Sequence, residues 1–231
     1  MLKKIDSHDI EIVEKLLAAR YSCRAFKPEP VARPIIERVL SAAQKTASWC
    51  NSQPWQVAIF SGDAVRKFGE AMYKAASERA PPVTDFEFPR EYKGVYLDRR
   101  RESGFQLYNA LGIQRGDKAA YNKQMLENFR FFGAPHVAII TSDEALGIYG
   151  AIDCSGYVSN FMLAAQALGL ATVPQAALAG HADVVRKHLG VSDDRRVVCG
   201  ISFGYSDEAH LANSYRTNRA TIPEAVNFIG E

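Results

Sequence analysis

Apolar side chains along this chain fall into alternating helical and extended spacings. Residues 9–20 put Ile12, Val13, Leu16 and Leu17 on one side of a helix, the three-and-four spacing of an amphipathic segment. Residues 34–45 predict a second helix with Pro34 in its first turn, where the missing N–H has no intrahelical partner to lose. Trp55, Val57 and Ile59 then alternate with Gln56, Ala58 and Phe60 as in a buried strand, and a helix follows over 63–77. Farther along, 137–141 and 197–204 predict strands, 148–170 a long buried helix, 171–173 a short strand running into Pro174, and 183–189 a helix. The sum is an α+β pattern without internal repeats or low-complexity tracts.

Two stretches lack either period. Pro81, Pro82, Pro89 and the aromatic-rich run 86–96 break the pattern, and helical spacing returns only weakly over 101–129. Because both flanks read as parts of one core, residues 80–130 are an excursion from it rather than a linker. The excursion carries Phe86, Phe88, Tyr92, Tyr96, Phe105 and Tyr108. Such rings either cap a site by stacking on a flat ligand or form a satellite cluster of their own. Residues 206–231 form the second stretch; Tyr215, Ile222, Val226, Phe228 and Ile229 favour docking over disorder.

Composition narrows the class. A chain of 231 residues with 47% hydrophobic content fits one large domain spanning 1–231. A net charge of +2, with both signs interspersed, offers no basic face for nucleic acid. Cys23, Cys50, Cys154 and Cys199 show no CxxC pair and read as reduced thiols of a cytoplasmic protein, with Cys50 a small buried hydrophobe rather than a redox thiol. The five histidines have no metal-ligand spacing. Residues 1–8 lack the apolar run of a cleaved signal, and Asp153, Asn160 and Gln166 interrupt the most apolar stretch, so no membrane partner is expected.

The chemistry concentrates near the N-terminus. Arg20, Ser22 and Arg24 occupy every second position, so an extended backbone sends all three to one side. Taken alone, that pattern suits a solvated face; converging guanidinium groups also suit a phosphate or the polar edge of a heterocycle. Asn51, Ser52 and Gln53 form a polar loop feeding the strand at Trp55, with amide donors and acceptors for a ring edge or a polyol. Gln53 precedes Pro54, which biases it to extended geometry. Gly200, Ile201, Ser202, Phe203 and Gly204 match a nucleophile elbow in letters, but no helix follows and His210 stands too close, so a hydrolase is disfavoured. There is neither GxGxxG nor GxxxxGK[ST], so no built-in dinucleotide or P-loop domain is expected.

Arg20, Tyr21, Ser22 and Arg24, then Asn51, Ser52, Gln53, Pro54 and Trp55, then Phe132, Gly133, Ala134 and Pro135 begin an ordered series. It continues with Ala167 to Leu170, Pro174, Gln175, Ala176 and Ala177, residues 200–205, and Arg216 and Arg219. In that order the series resembles the FMN-dependent nitroreductases over almost the whole chain. The resemblance implies a mostly antiparallel sheet flanked by helices, and a homodimer with two interfacial FMN sites. It implies that Arg20, Ser22 and Arg219, with Arg216, hold the FMN phosphate and that Arg24 approaches the N1/O2 side of the ring. Asn51, Ser52 and Gln53 would come from the partner chain, Pro174 to Ala177 would run beside flavin N5, and the 206–231 tail would wrap the neighbour. The implied activity is NAD(P)H-driven reduction of nitroaromatics, quinones or similar flat acceptors by a ping-pong route, with no protein nucleophile. A reductive dehalogenase, a flavin-degrading enzyme and a non-enzymatic flavin-binding protein remain alternatives. Thr46, Ala47 and Trp49, and the Pro-Gln-Ala-Ala run itself, depart from the commonest pattern and leave substrate preference open.

Overall fold

The computed structural model of the chain describes residues 7–78 and 81–230, so the reading made on residues 1–6 lies outside it. In chain order the elements are α1 (Ser7–Ala19), α2 (Arg33–Ala43), β1 (Gln56–Ser61), α3 (Asp63–Ser77), α4 (Gly94–Ala110) and α5 (Lys118–Leu126). Then come β2 (His136–Asp143), α6 (Gly147–Ala167), β3 (Ala171–Gln175), α7 (Ala182–Leu189), β4 (Arg195–Gly204) and the single turn α8 (Ile222–Ala225).

The sheet runs β1-β2-β4-β3 and every pairing is antiparallel. Its centre is β2, buried on both faces. Val137 and Ile139 pack with Phe68 and Met72 of α3 and Val185 of α7, while Ala138 and Ile140 pack with Val39 of α2 and Tyr157 and Phe161 of α6. The period of two along β2 thus feeds two cores, one on each side of the sheet. Close packing at the centre needs small residues on β4. A side chain at Gly204 would begin 2.7 Å from the Pro135 ring, and one at Gly200 would collide with Leu178. Both glycines of the Gly-x-Ser-x-Gly string are therefore packing residues.

Several boundaries and faces differ from expectation. Helix α1 forms, but Ile12, Val13 and Leu17 stay 44%, 40% and 55% exposed; its apolar side is left largely uncovered by the rest of the chain. Strand β1 lies at the sheet edge and is half-buried rather than buried. Strand β3 continues through Pro174 and Gln175, which an edge position permits because a proline's missing N–H leaves no rung broken. Helix α4 already starts at Gly94, inside the run expected to be irregular, and buries no residue.

The excursion is tied down at both ends. Val83 bridges His181, its N–H donating to the Gly180 carbonyl at 2.9 Å. Asp85, only 4% exposed, accepts from Arg186 at 2.6 Å and from the Val197 N–H at 2.7 Å, with Arg196 at 3.5 Å. On the return, the 3-10 turn Glu127–Gly133 places Phe131 and Phe132 at φ 58° and 52°. Left-handed backbone at two bulky residues costs on the order of 1–3 kcal/mol each, and burial of both rings offsets it. Its aromatic residues divide: Tyr108 stacks on Tyr121 at 4.2 Å and Phe105 lies under Arg115, whereas Tyr96 is 67% exposed.

Candidate functional site

Residues 22–23 lie against the free edge of β3, and Phe26 farther along bridges Ser206. Ser22 bridges Thr172 in parallel, and the Cys23 N–H donates to the Thr172 carbonyl at 3.0 Å. The extended backbone sends Cys23 and Ala25 into the core and turns Arg20, Ser22 and Arg24 the other way, as the spacing of two requires.

The beginning of the tail completes the wall. Asn213, 5% exposed, accepts from the Arg24 N–H at 2.8 Å and donates to the carbonyls of Ala25 at 2.9 Å and Asp207 at 2.8 Å. That docking brings Arg216 over the Tyr21 ring at 3.6 Å, a cation–π contact. It also brings the Tyr215 hydroxyl to the Arg24 guanidinium at 2.9 Å, and Tyr21 in turn is held by Ser206 at 2.6 Å. Residues 206–216 are thus seated against their own chain. Sequence reasoning missed Asn213, since one asparagine in an aperiodic segment gives no signal.

The result is a cleft of about 310 Å³ lined by Arg20, Tyr21, Ser22, Arg24, Tyr215, Arg216, Thr217 and Arg219, with Leu17, Ala18 and Ser103. It contains four arginines and no carboxylate, and among the described residues none of the four forms an ion pair. Burial, and then the neighbouring charge of Arg219, push the Arg20 guanidinium below its ordinary pKa. Like charges gathered in a half-dry cleft repel one another, and a dianion would relieve that repulsion with charge-assisted hydrogen bonds. A phosphate carries about −1.5 to −2 at neutral pH, so the donor set fits a phosphate monoester. Arg24 also borders a second cleft, about 590 Å³, whose walls include Phe26, Leu111, Ile113 and Phe132.

The remaining candidates stand outside the arginine cleft. Asn51, Ser52 and Gln53 are exposed in a loop with φ of 52°, 55° and 46° at Cys50, Asn51 and Gln53. Gln53 is therefore left-handed rather than extended, because its N–H is captured by the Ser48 hydroxyl at 2.9 Å. Cys50 is exposed, against the expectation of a buried small residue. The Asp153 carboxylate fixes the Trp49 N–H at 3.1 Å, and Trp49 packs edge-on against Tyr149. Ala176 is exposed, and Pro174 and Ala177 are half-buried. The Gln175 side chain, expected among the cofactor contacts, is instead 3% exposed and turned into the core, where Ser202 and Asn128 occupy it. Ser202 is fully buried on β4, so it offers no exposed nucleophile.

An antiparallel sheet with helices on both faces carries at its edge an arginine cleft whose donors suit a phosphate group. Residues 17–205 match the family model "Nitroreductase family", and the chain belongs to the nitroreductase family. It is 38% identical over 94% of its length to nitroreductase NfnB of Mycolicibacterium smegmatis, covering 93% of that protein. It is 33% identical to a nitrobenzene nitroreductase of Ectopseudomonas oleovorans, covering 95% of this chain and 97% of the relative. The crystal structure of an FMN and NADPH-dependent nitroreductase NfnB from sphigopyxis sp. strain HMH superposes with a TM-score of 0.91 at 30% identity, covering 94% of this chain and 99% of that one.

Proposed function

We propose that this chain is an FMN-dependent NAD(P)H oxidoreductase that reduces nitroaromatics, with quinones and similar flat acceptors in its range, by a ping-pong route. The observation that carries the reading is the arginine cleft without a carboxylate. Arg20, Ser22, Arg216 and Arg219 hold the FMN phosphate, and Tyr21 braces Arg216 from below. Arg24, fixed by Tyr215 and by its own backbone bond to Asn213, presents a positive charge to the N1/O2 edge of the ring. With FMN bound, the backbone N–H groups at Ala176 and Ala177 would face the N5 side of the ring. Bound FMN supplies hydride transfer between NAD(P)H and the acceptor; the protein's part is to hold the rings in register and to stabilise developing charge.

A second copy of the chain completes the site. The loop at Asn51–Gln53, left-handed at both of those residues, lines neither of the two clefts that Arg24 borders, which supports its use in trans. Exposed Ile10, Ile12, Val13 and Leu17 on α1, Ile148, Tyr149 and Ile152 on α6, and Phe228 and Ile229 near the C-terminus supply apolar surface for a homodimer. Among the described residues no helix is long and apolar enough to cross a membrane.

The test is an absorbance spectrum of the purified protein, anaerobic addition of NADPH or NADH, and then a nitroaromatic. Flavin bands that bleach and return on adding acceptor are expected. A protein that cannot be loaded with FMN would overturn the cofactor assignment, and one that stays yellow would make it a flavin-binding protein.

A further inference from the structure

Gln175 ends β3 and immediately precedes the 3-10 turn Ala176–Gly180. Its Oε1 accepts from the Ser202 hydroxyl at the middle of the sheet, and its Nε2 donates to the Asn128 carbonyl at 2.8 Å, with Asn128 Oδ1 at 3.4 Å. Asn128 belongs to the 3-10 turn through which the 80–130 excursion rejoins the core. One buried amide therefore joins three segments: the run beside the proposed flavin N5, the centre of the sheet, and the end of the excursion.

The far end of the turn is held by the fully buried Leu178 and by the Val83 N–H on the Gly180 carbonyl, but its near end is not. Ala176 and Ala177 carry only methyl groups, and no side chain caps the turn's first residues. An apolar residue in the place of Gln175 would fill the volume, but packing alone is not directional, whereas a buried amide satisfied at both ends fixes orientation. Of its two partners, Ser202 is fully buried on β4 and Asn128 is half-buried beside the buried Phe129.

We infer that Gln175 is a positioning residue which aims the Ala176 and Ala177 N–H groups and couples that aim to the excursion. The inference rests on the FMN reading given above. It separates two properties of the site: the arginine cleft sets how tightly FMN is held, and Gln175 sets how the ring is presented.

The experiment uses FMN-loaded Gln175→Met, Gln175→Glu and Ser202→Ala. FMN affinity, the two-electron midpoint potential and the single-turnover rate of flavin reduction by NADPH are measured for each. Gln175→Met should slow flavin reduction about tenfold and shift the potential, since small misplacements of reacting groups are costly. Its FMN dissociation constant should stay within about threefold of the parent, because the phosphate contacts are untouched. Ser202→Ala, which removes one of the two bonds, should fall between, and it carries the test should Gln175→Met not fold. The carboxyl that Gln175→Glu introduces can, when protonated, accept from Ser202 and donate to Asn128, so this variant should match the parent at low pH and lose rate as the carboxyl ionises. An unchanged rate and potential in both Gln175→Met and Ser202→Ala would overturn the inference. So would loss of FMN affinity in step with rate, which marks a merely structural role. A parent protein that binds no FMN would instead overturn the flavin reading and this role with it.

Discussion

Two arginine clusters among the described residues stand in opposite electrostatic states. Around Asp85, the guanidinium groups of Arg186 and Arg196 converge on one carboxylate that is 4% exposed; the cluster holds its counter-charge and joins the excursion to α7 and β4. In the cleft at residues 20–24 and 215–219, four arginines converge on no carboxylate at all. The first cluster is complete in the folded chain, whereas the second requires an anion from outside. An arginine count does not separate structure from function, but the presence or absence of a buried counter-charge does.

The sharpest break of that comparison is Asp85→Ala. Removing the shared carboxylate leaves Arg186, 12% exposed, without its main partner, and breaking such a pair costs about 3–5 kcal/mol. Chemical denaturation should show that loss, with FMN affinity of the surviving native protein unchanged. Arg20→Ala and Arg219→Ala should do the reverse. Each loses a charge-assisted hydrogen bond worth about 2 kcal/mol, so FMN affinity falls about 30-fold by titration, while the stability of the flavin-free protein holds or rises as repulsion within the cleft is relieved. Arg24→Ala belongs to the same cleft but acts on the ring. It should lower the midpoint potential of bound FMN by about 30 mV, a tenfold change for a two-electron couple, and a potential equal to the parent's would remove that role.

The smallest effect comes from a site outside both clusters. The Val31 N–H donates to Nε2 of His136 at 2.9 Å, so this buried ring is held neutral, and burial pushes its pKa below 6.5. The unfolded chain takes up a proton near pH 6.5 that the folded chain refuses until lower pH. Stability is therefore full above that value and declines as pH falls below it, by at most about 1.4 kcal/mol per pH unit for one such group. His181, also lowered by burial, acts in the same direction. His136→Gln should reduce the slope of stability against pH below about 6.5 without removing it.

The two clusters also mark what was legible in the sequence. Arg20, Ser22 and Arg24 were readable because a strand's period of two fixes which side each takes, whatever the rest of the chain does. Arg216 and Arg219 entered only through the family's motif order. Asp85 was invisible: its partners lie 101 and 111 residues away, and it sits in a run whose prolines erase periodicity. The strands and most helices followed from apolar spacing and the antiparallel sheet from the family resemblance, but α4 did not, since a helix that buries nothing leaves no apolar stripe to read. Gln175 was assigned by its neighbours in the motif to the cofactor. A strand sends alternate residues to opposite faces, and its own position turned it inward toward Ser202.

If the unpaired arginines hold a phosphate, the protein must tell FMN from riboflavin, because the two ligands differ by that group alone. Calorimetric titration of the purified, flavin-free protein should show FMN binding at least about 100-fold more tightly than riboflavin, a difference of roughly 2.7 kcal/mol, and that gap should largely close in Arg20→Ala. Equal affinity for the two ligands, or a gap that Arg20→Ala leaves intact, would show that the arginine cleft does not hold the phosphate.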